Sequence, residues 1–213
     1  MRMAASQETA SPLPRGRHAA PREVVWRSQR GRLLAAMAGA VADKGYAGVA
    51  VADVIARAGV SRKTFYEHFE NKEQCFLAAY DAGVELILDA IDEAIRDAAP
   101  DPVAIARAGT IAYLETLAAN PAFARTFLVE VLGAGPEALA RRSRVHRRFA
   151  EQLETIHRAA GGPPDAPLHL FRACVGAIHE LVTDHVLARD AESLPDLLDA
   201  LVEIETALLV RRS

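Results

Sequence analysis

The chain has 213 residues, of which 51% are hydrophobic, 25% charged and only 6% aromatic. That balance excludes a disordered or collagen-like chain, and the length supports a core that needs no disulfide or metal staple. The net charge of −3 conceals a division: residues 1–80 carry 12 Lys and Arg against 7 Asp and Glu (+5), and residues 81–213 carry 13 against 21 (−8). A basic first third suits a polyanion, and the acidic remainder would be repelled by one. No apolar run reaches the roughly 18 residues of a membrane span. Residues 1–20 lack the apolar centre of a secretory signal. Two distant cysteines, Cys75 and Cys174, fit a reducing compartment, so a cytoplasmic protein without membrane contact is expected.

Alanine and leucine richness with few β-branched or aromatic runs predicts an all-α fold of about nine helices. Residues 1–21, with Pro12, Pro14 and Gly16, read as a flexible basic arm. Trp26, Leu33, Leu34, Met37 and Val41 recur at helical spacing in a first helix that Gly45 ends, with Lys44 against its C-terminal dipole. Val51, Val54, Ile55 and Ala58 mark a short second helix stopped by Gly59. Ser61 caps a third helix, 62–69, and Asn71 with Gln74 makes a capping box for a long fourth, 72–98. Pro102, Pro121, Pro136, Pro167 and Pro195 sit like helix starts, predicting helices near 102–119, 121–133, 136–160, 166–190 and 194–211.

The informative stretch is Gly45 to Lys72, in which two short helices flank the turn Ala58-Gly59-Val60-Ser61. This is a helix-turn-helix spacing whose second helix is free to enter a major groove. Phe65 and Phe69, four apart, share one face as an anchor, while the other positions are polar. A helical hairpin with a solvated basic face would show the same pattern. The segment GVSRKTFYEHFENKEQCFLAAYD, however, closely resembles the recognition segment of the TetR/AcrR family of bacterial transcriptional regulators. VADVIARAGVS and RLLAAMAGAVADKGY resemble that family's preceding helices, so the match covers roughly residues 28–80.

The resemblance implies a helix-turn-helix DNA-binding domain over 22–71 and a ligand-binding and dimerisation domain over 72–213, with helix 72–98 as the link. It implies that Ser61 caps the recognition helix and that Arg62, Lys63 and Thr64 face the groove. Tyr66 and His68 would contact backbone and nearby bases, and Lys72 a phosphate. Two departures stand out. Ala50 replaces the usual Thr or Ser cap of the first motif helix, and Ile55 replaces a small residue, implying altered packing. Arg15 and Arg17 on the arm could lie in the minor groove or belong to a solubilising tail.

The family also implies a homodimer, a double-stranded DNA operator and a small hydrophobic or amphipathic effector, most simply one that releases a repressor from a palindromic operator. Phe171, Val175, Ile178 and Val182, then Leu197, Leu201, Ile204 and Leu208, form stripes on the last two helices that suit either a four-helix subunit interface or ordinary core. Tyr113, Leu117, Phe123, Phe127, Phe149, Leu153 and His157 fall where the family keeps its pocket, and they too can be plain core.

The basic run Arg141 to Glu151 reads as a solvated face stitched by Glu137–Arg141 and Arg147–Glu151 pairs. His179-Glu180 with Asp184-His185 suggests metal binding, but histidines six apart do not share one helical face as in HExxH. With no nucleophile elbow, phosphate loop or CxxC pair, no enzyme activity, cofactor or metal is expected. A purely architectural helix-turn-helix protein would leave the acidic two-thirds without a role.

Overall fold

The computed structural model describes residues 22–159, 161–162 and 165–209, and every regular element among them is helical. Nine α-helices follow in order: α1 (Arg22–Gly48), α2 (Val51–Ala58), α3 (Arg62–His68), α4 (Lys72–Arg96), α5 (Pro102–Ala119), α6 (Pro121–Leu128), α7 (Pro136–Ala159), α8 (Leu168–Ala188) and α9 (Leu198–Leu209). Two 3₁₀ segments, Glu130–Gly133 and Ala191–Leu197, precede α7 and α9.

Local chemistry sets most boundaries. Ser61 Oγ accepts from Thr64 N at 3.0 Å at the start of α3, and Asp101 Oδ2 from Ala104 N at 2.8 Å at the start of α5. Asn71 Oδ1 accepts from Gln74 N at 2.9 Å, but the Gln74 side chain accepts from Glu70 N rather than from Asn71. Ala50 offers α2 no side-chain cap, and Asp53 supplies the missing half by accepting from Ala50 N at 2.8 Å. Gly59, in the left-handed region at φ 62°, makes the turn into α3, where a side chain would be strained.

Four boundaries differ from the sequence reading. The first helix continues past Gly45 to Gly48, with a break at Gly45 (φ 70°, ψ 155°), and Lys44 binds Asp53 at 2.6 Å instead of the helix end. The helix predicted over 121–133 stops at Leu128 and passes into the 3₁₀ segment, where Val131 is fully buried. Pro195 lies inside a 3₁₀ segment instead of opening a helix. Pro167 is an N-cap, one residue ahead of α8.

One apolar core runs from Leu33, Met37 and Val41 of α1 through Phe65, Phe76 and Tyr80 to Leu117, Phe127 and Leu201. It passes residue 72 without a gap. A smaller cluster joins Ala150, Leu170, Phe171, Cys174 and Leu209. Burying each large side chain contributes roughly 1.5–3 kcal/mol. α4 and α6 approach closely at Gly83, where the Phe123 ring occupies the space a Cβ would need. α7 is held to α4 by ion pairs: Arg141 with Asp81, and Arg148 with Glu85.

Candidate DNA-binding face and interior pocket

α3 stands on Phe65 and Phe69, both buried, with Arg30 of α1 above the Phe69 ring at 4.8 Å. That footing turns Ser61, Arg62, Lys63 and Tyr66 outwards, all of them exposed. Arg62 lies 5.6 Å from the Tyr66 ring centre, and Lys63 is loosely paired with Glu67 at 3.9 Å. The Thr64 hydroxyl is 2.9 Å from Ser61 Oγ, so it helps to close the cap.

Two of the residues singled out for DNA contact are engaged within the chain. The His68 ring sits 3.7 Å from the Trp26 ring, and both of its nitrogens are buried without a hydrogen-bond partner. Burial, reinforced by Arg30, holds its pKa below the usual histidine value, so the ring is neutral. Lys72 Nζ donates to the Tyr46 carbonyl at 2.9 Å and lies 4.2 Å from the Tyr46 ring centre. The amide of Tyr46 in turn donates to Glu130 Oε2 at 2.8 Å. Trp26, half-exposed beside α3, belongs to this face, although its spacing marked it only as a helix residue. Arg15 and Arg17 lie outside the described residues.

The second feature is a cavity of about 100 Å³ between α4, α5, α7 and α8, with Glu205 of α9 on its wall. Its lining is mostly aliphatic and aromatic: Ile91, Ile95, Ile105, Ile156, Val175 and Ile178, with Tyr113, Phe127, Phe149 and Leu153. Of the seven residues proposed for a pocket, Tyr113, Phe127, Phe149 and Leu153 line it. Leu117 and Phe123 do not, since Leu117 is fully buried in the main core and Phe123 fills the space at Gly83. His157 opens on a smaller neighbouring cleft shared with Leu209 and Glu205.

The polar groups on this lining were missed, because His146 lay in a run read as a solvated face and Glu205 in a stripe read as apolar. His146 and His179 meet edge to face at 4.4 Å. Burial, with Arg142 adding to it, lowers the His146 pKa to about 4. Burial, the neighbouring His146 and Arg142 lower that of His179 to about 3. Glu205 accepts from Thr110 Oγ1 at 3.1 Å, and burial lifts its carboxyl to about 7. His185 turns away to Ser193 at 2.8 Å, so His179 and His185 face different surroundings.

Of the eight residues of the expected subunit stripe three are buried within the chain and five are partly buried. Phe171, Val182 and Leu201 are fully buried within the chain, and Val175 and Ile178 line the cavity. Leu197, Ile204 and Leu208 pack on the two cores. The basic run of α7 is also stitched differently: Glu137 binds Arg141 at 3.8 Å and Arg144 at 2.8 Å, while no ion pair joins Arg147 to Glu151.

Residues 33–79 match the family of bacterial regulatory proteins of the tetR type. This is the stretch that runs from α1 through the turn and α3 into α4. Over that stretch the chain resembles the TetR family. The chain is 30% identical over 125 residues to the transcriptional regulator EthR of Mycolicibacterium smegmatis, a match that spans 57% of each chain. Its fold resembles that of the fatty acid degradation regulator FadR from Bacillus halodurans, with a TM-score of 0.73, 18% identity and coverage of 86% of this chain and 96% of the other. It also resembles FadR from Bacillus subtilis in complex with stearoyl-CoA, with a TM-score of 0.71, 19% identity and coverage of 84% and 97%.

Proposed function

We propose that the chain is a cytoplasmic transcriptional repressor that binds a palindromic double-stranded operator as a homodimer and is released by a small apolar or amphipathic effector. The carrying observation is the exposed Ser61-Arg62-Lys63 turn and Tyr66, fixed on the buried Phe65 and Phe69. A helix presented this way can offer Arg62 and Lys63 to guanine O6 and N7 and to phosphates. In this reading residues 22–71 bind DNA, 72–213 bind the effector and the partner subunit, and α4 links them. The cavity is the effector site. Stearoyl-CoA, held by the Bacillus subtilis structure, is large beside a space of about 100 Å³, so a smaller effector suits this chain.

For the dimer, the outer face of α8 offers a surface beside that stripe. It carries Leu187, 59% exposed, and Leu181, with the exposed Ala173 and Gly176. A Cβ at Gly176 would meet nothing within 4 Å, so no neighbour in the chain requires glycine there. A second copy packing closely on this helix would use the small surface. Leu187→Glu is expected to shift the protein to monomer in light scattering at micromolar concentration.

Gel shifts against the DNA flanking the chain's own gene, over a salt series, test the function. Lys63→Ala and Tyr66→Ala should weaken the cognate site more than random DNA. Each lost phosphate contact should flatten the log–log salt slope by about 0.9. Lys72→Ala should weaken all sequences alike, and it also removes the bond to the Tyr46 carbonyl. Unchanged affinity in a combined Arg62→Ala, Lys63→Ala and Tyr66→Ala protein would overturn the reading.

A further inference from the structure

At His146 and His179 the cavity wall backs onto a group of buried polar atoms without a hydrogen-bond partner. The Tyr80 ring stacks on Phe127 at 5.2 Å, Phe127 meets His179 at 5.9 Å, and His179 meets His146 at 4.4 Å. The Tyr80 hydroxyl and the Nε2 atoms of both histidines are buried and unbonded. Tyr80 is 0% exposed and His179 5%, and both histidines line the cavity.

Arg142 completes the group. It lies one turn before His146 on the same face of α7, and its Nε is also buried without a partner. Its charge is felt by Tyr80, His146 and His179. Other arginines of α7 have carboxylates: Arg141 has Asp81, Arg144 has Glu137, Arg148 has Glu85 and Arg158 has Glu154. Arg147, which has none, is exposed to solvent. Arg142 is half-buried, and no carboxylate among the described residues forms an ion pair with it.

Each unsatisfied buried donor costs about 1–3 kcal/mol. Water can satisfy hydrogen bonds, but it leaves the arginine charge uncompensated. A monoanion in the cavity would do both, accepting from the two imidazoles while the guanidinium behind them supplies the compensating charge. The rest of the wall fixes what the anion must be attached to. From His146 to Ile156 the lining follows α7 for ten residues, about 15 Å at the helical rise, and is apolar apart from Gln152. Glu205 and Thr110 also border the cavity, where the carboxyl accepts from the Thr110 hydroxyl and forms no ion pair with Arg142.

We infer that this end of the cavity binds the carboxylate of a slender aliphatic monocarboxylic acid at His146 and His179, with the Arg142 charge and the Tyr80 hydroxyl behind them, outside the lining, and with the hydrocarbon lying between α5 and α7. The inference rests on the reading of the cavity as the effector site, and it names the chemical class of the effector.

Calorimetric titration of the full chain with octanoate and with 1-octanol, which share a hydrocarbon body and differ in the head group, tests both levels. Octanoate should bind at least about tenfold more tightly than 1-octanol, the worth of one charged hydrogen bond. Arg142→Met should remove that preference and leave 1-octanol within about twofold, which also shows that the cavity is still folded; Arg142→Lys should restore part of it. Equal binding of the two ligands by the unmutated chain, or undiminished octanoate binding by Arg142→Met, overturns the carboxylate site while the cavity reading stands. If neither ligand binds the unmutated chain, the cavity reading itself falls, and this inference with it.

Discussion

Glu205 and His179 border one cavity, and burial pushes each toward its neutral form from opposite directions. The Glu205 carboxyl rises from 4.5 to about 7, so the folded chain keeps a proton that the unfolded chain releases near pH 4.5. Its cost to stability is absent below pH 4.5 and grows as pH rises through about 7. A shift of that size corresponds to about 3 kcal/mol. His179 falls from 6.5 to about 3, so the unfolded chain takes up a proton below pH 6.5 that the folded chain refuses. Its effect is therefore a loss of stability as pH drops below 6.5. Glu205→Gln retains a side-chain oxygen for the Thr110 hydroxyl and removes the charge. It should be more stable than the parent at pH 8, by up to about 3 kcal/mol, with the difference vanishing toward pH 4.5. His179→Gln should instead flatten the loss on the acid side. Urea unfolding at pH 4.5, 6 and 8 would check both, and a pH-independent difference for Glu205→Gln would refute the buried-carboxyl account. Neither residue's role was legible in the sequence. A histidine or glutamate within an apolar stripe has the same one-letter pattern whether it faces solvent or a cavity, and only the packing of α5 against α8 and α9 decides.

At the scale of elements, much was legible where the cause was local. Ser61 and Asn71 cap their helices through bonds within three residues, and Pro102, Pro121 and Pro136 open theirs. Periodicity identified the apolar faces of α8 and α9 but not what covers them: Phe171, Val182 and Leu201 are buried within the chain, and the rest of the stripe is partly buried. The end of α6 escaped because its cause is distant: Glu130, 84 residues from Tyr46 in sequence, turns to receive that amide, and Val131 buries itself in the core. The contact of α4 with α6 is equally invisible in sequence, since Gly83 lies mid-helix and reads as a weak position. Gly83→Ala forces its new methyl into the Phe123 ring and should destabilise the chain by about 1–3 kcal/mol. Pairing it with Phe123→Leu should recover part of that loss. Additive losses in thermal unfolding would show that the two residues do not share the space.

Across the whole molecule, α4 starts beside the recognition helix and carries Ile91 and Ile95 into the cavity wall, so both ends of the proposed switch touch one rigid element. A second connection runs through hydrogen bonds. Arg125 of α6 pairs with Glu130 at 3.5 Å, Glu130 accepts from Tyr46 N, and the Tyr46 carbonyl holds Lys72. α6 also carries Phe127 to the cavity wall. A ligand that displaces Phe127 would therefore bear on Glu130 and, through Tyr46, on the lysine expected at a phosphate. Thermodynamic linkage then requires symmetry: the factor by which octanoate weakens operator binding equals the factor by which operator weakens octanoate binding. Couplings of about 1–3 kcal/mol correspond to 5- to 150-fold. Glu130→Ala cuts the chain of bonds without touching the cavity or the exposed face of α3. It should leave octanoate affinity of the free protein within about twofold and shrink the coupling factor toward one, alongside a stability loss of about 1–3 kcal/mol from the unsatisfied Tyr46 amide. Operator affinity measured with and without saturating octanoate, on the parent and the variant, decides the matter. An undiminished ratio in Glu130→Ala would show that α4 alone carries the signal, and that the Tyr46 and Lys72 bonds only brace the first helix.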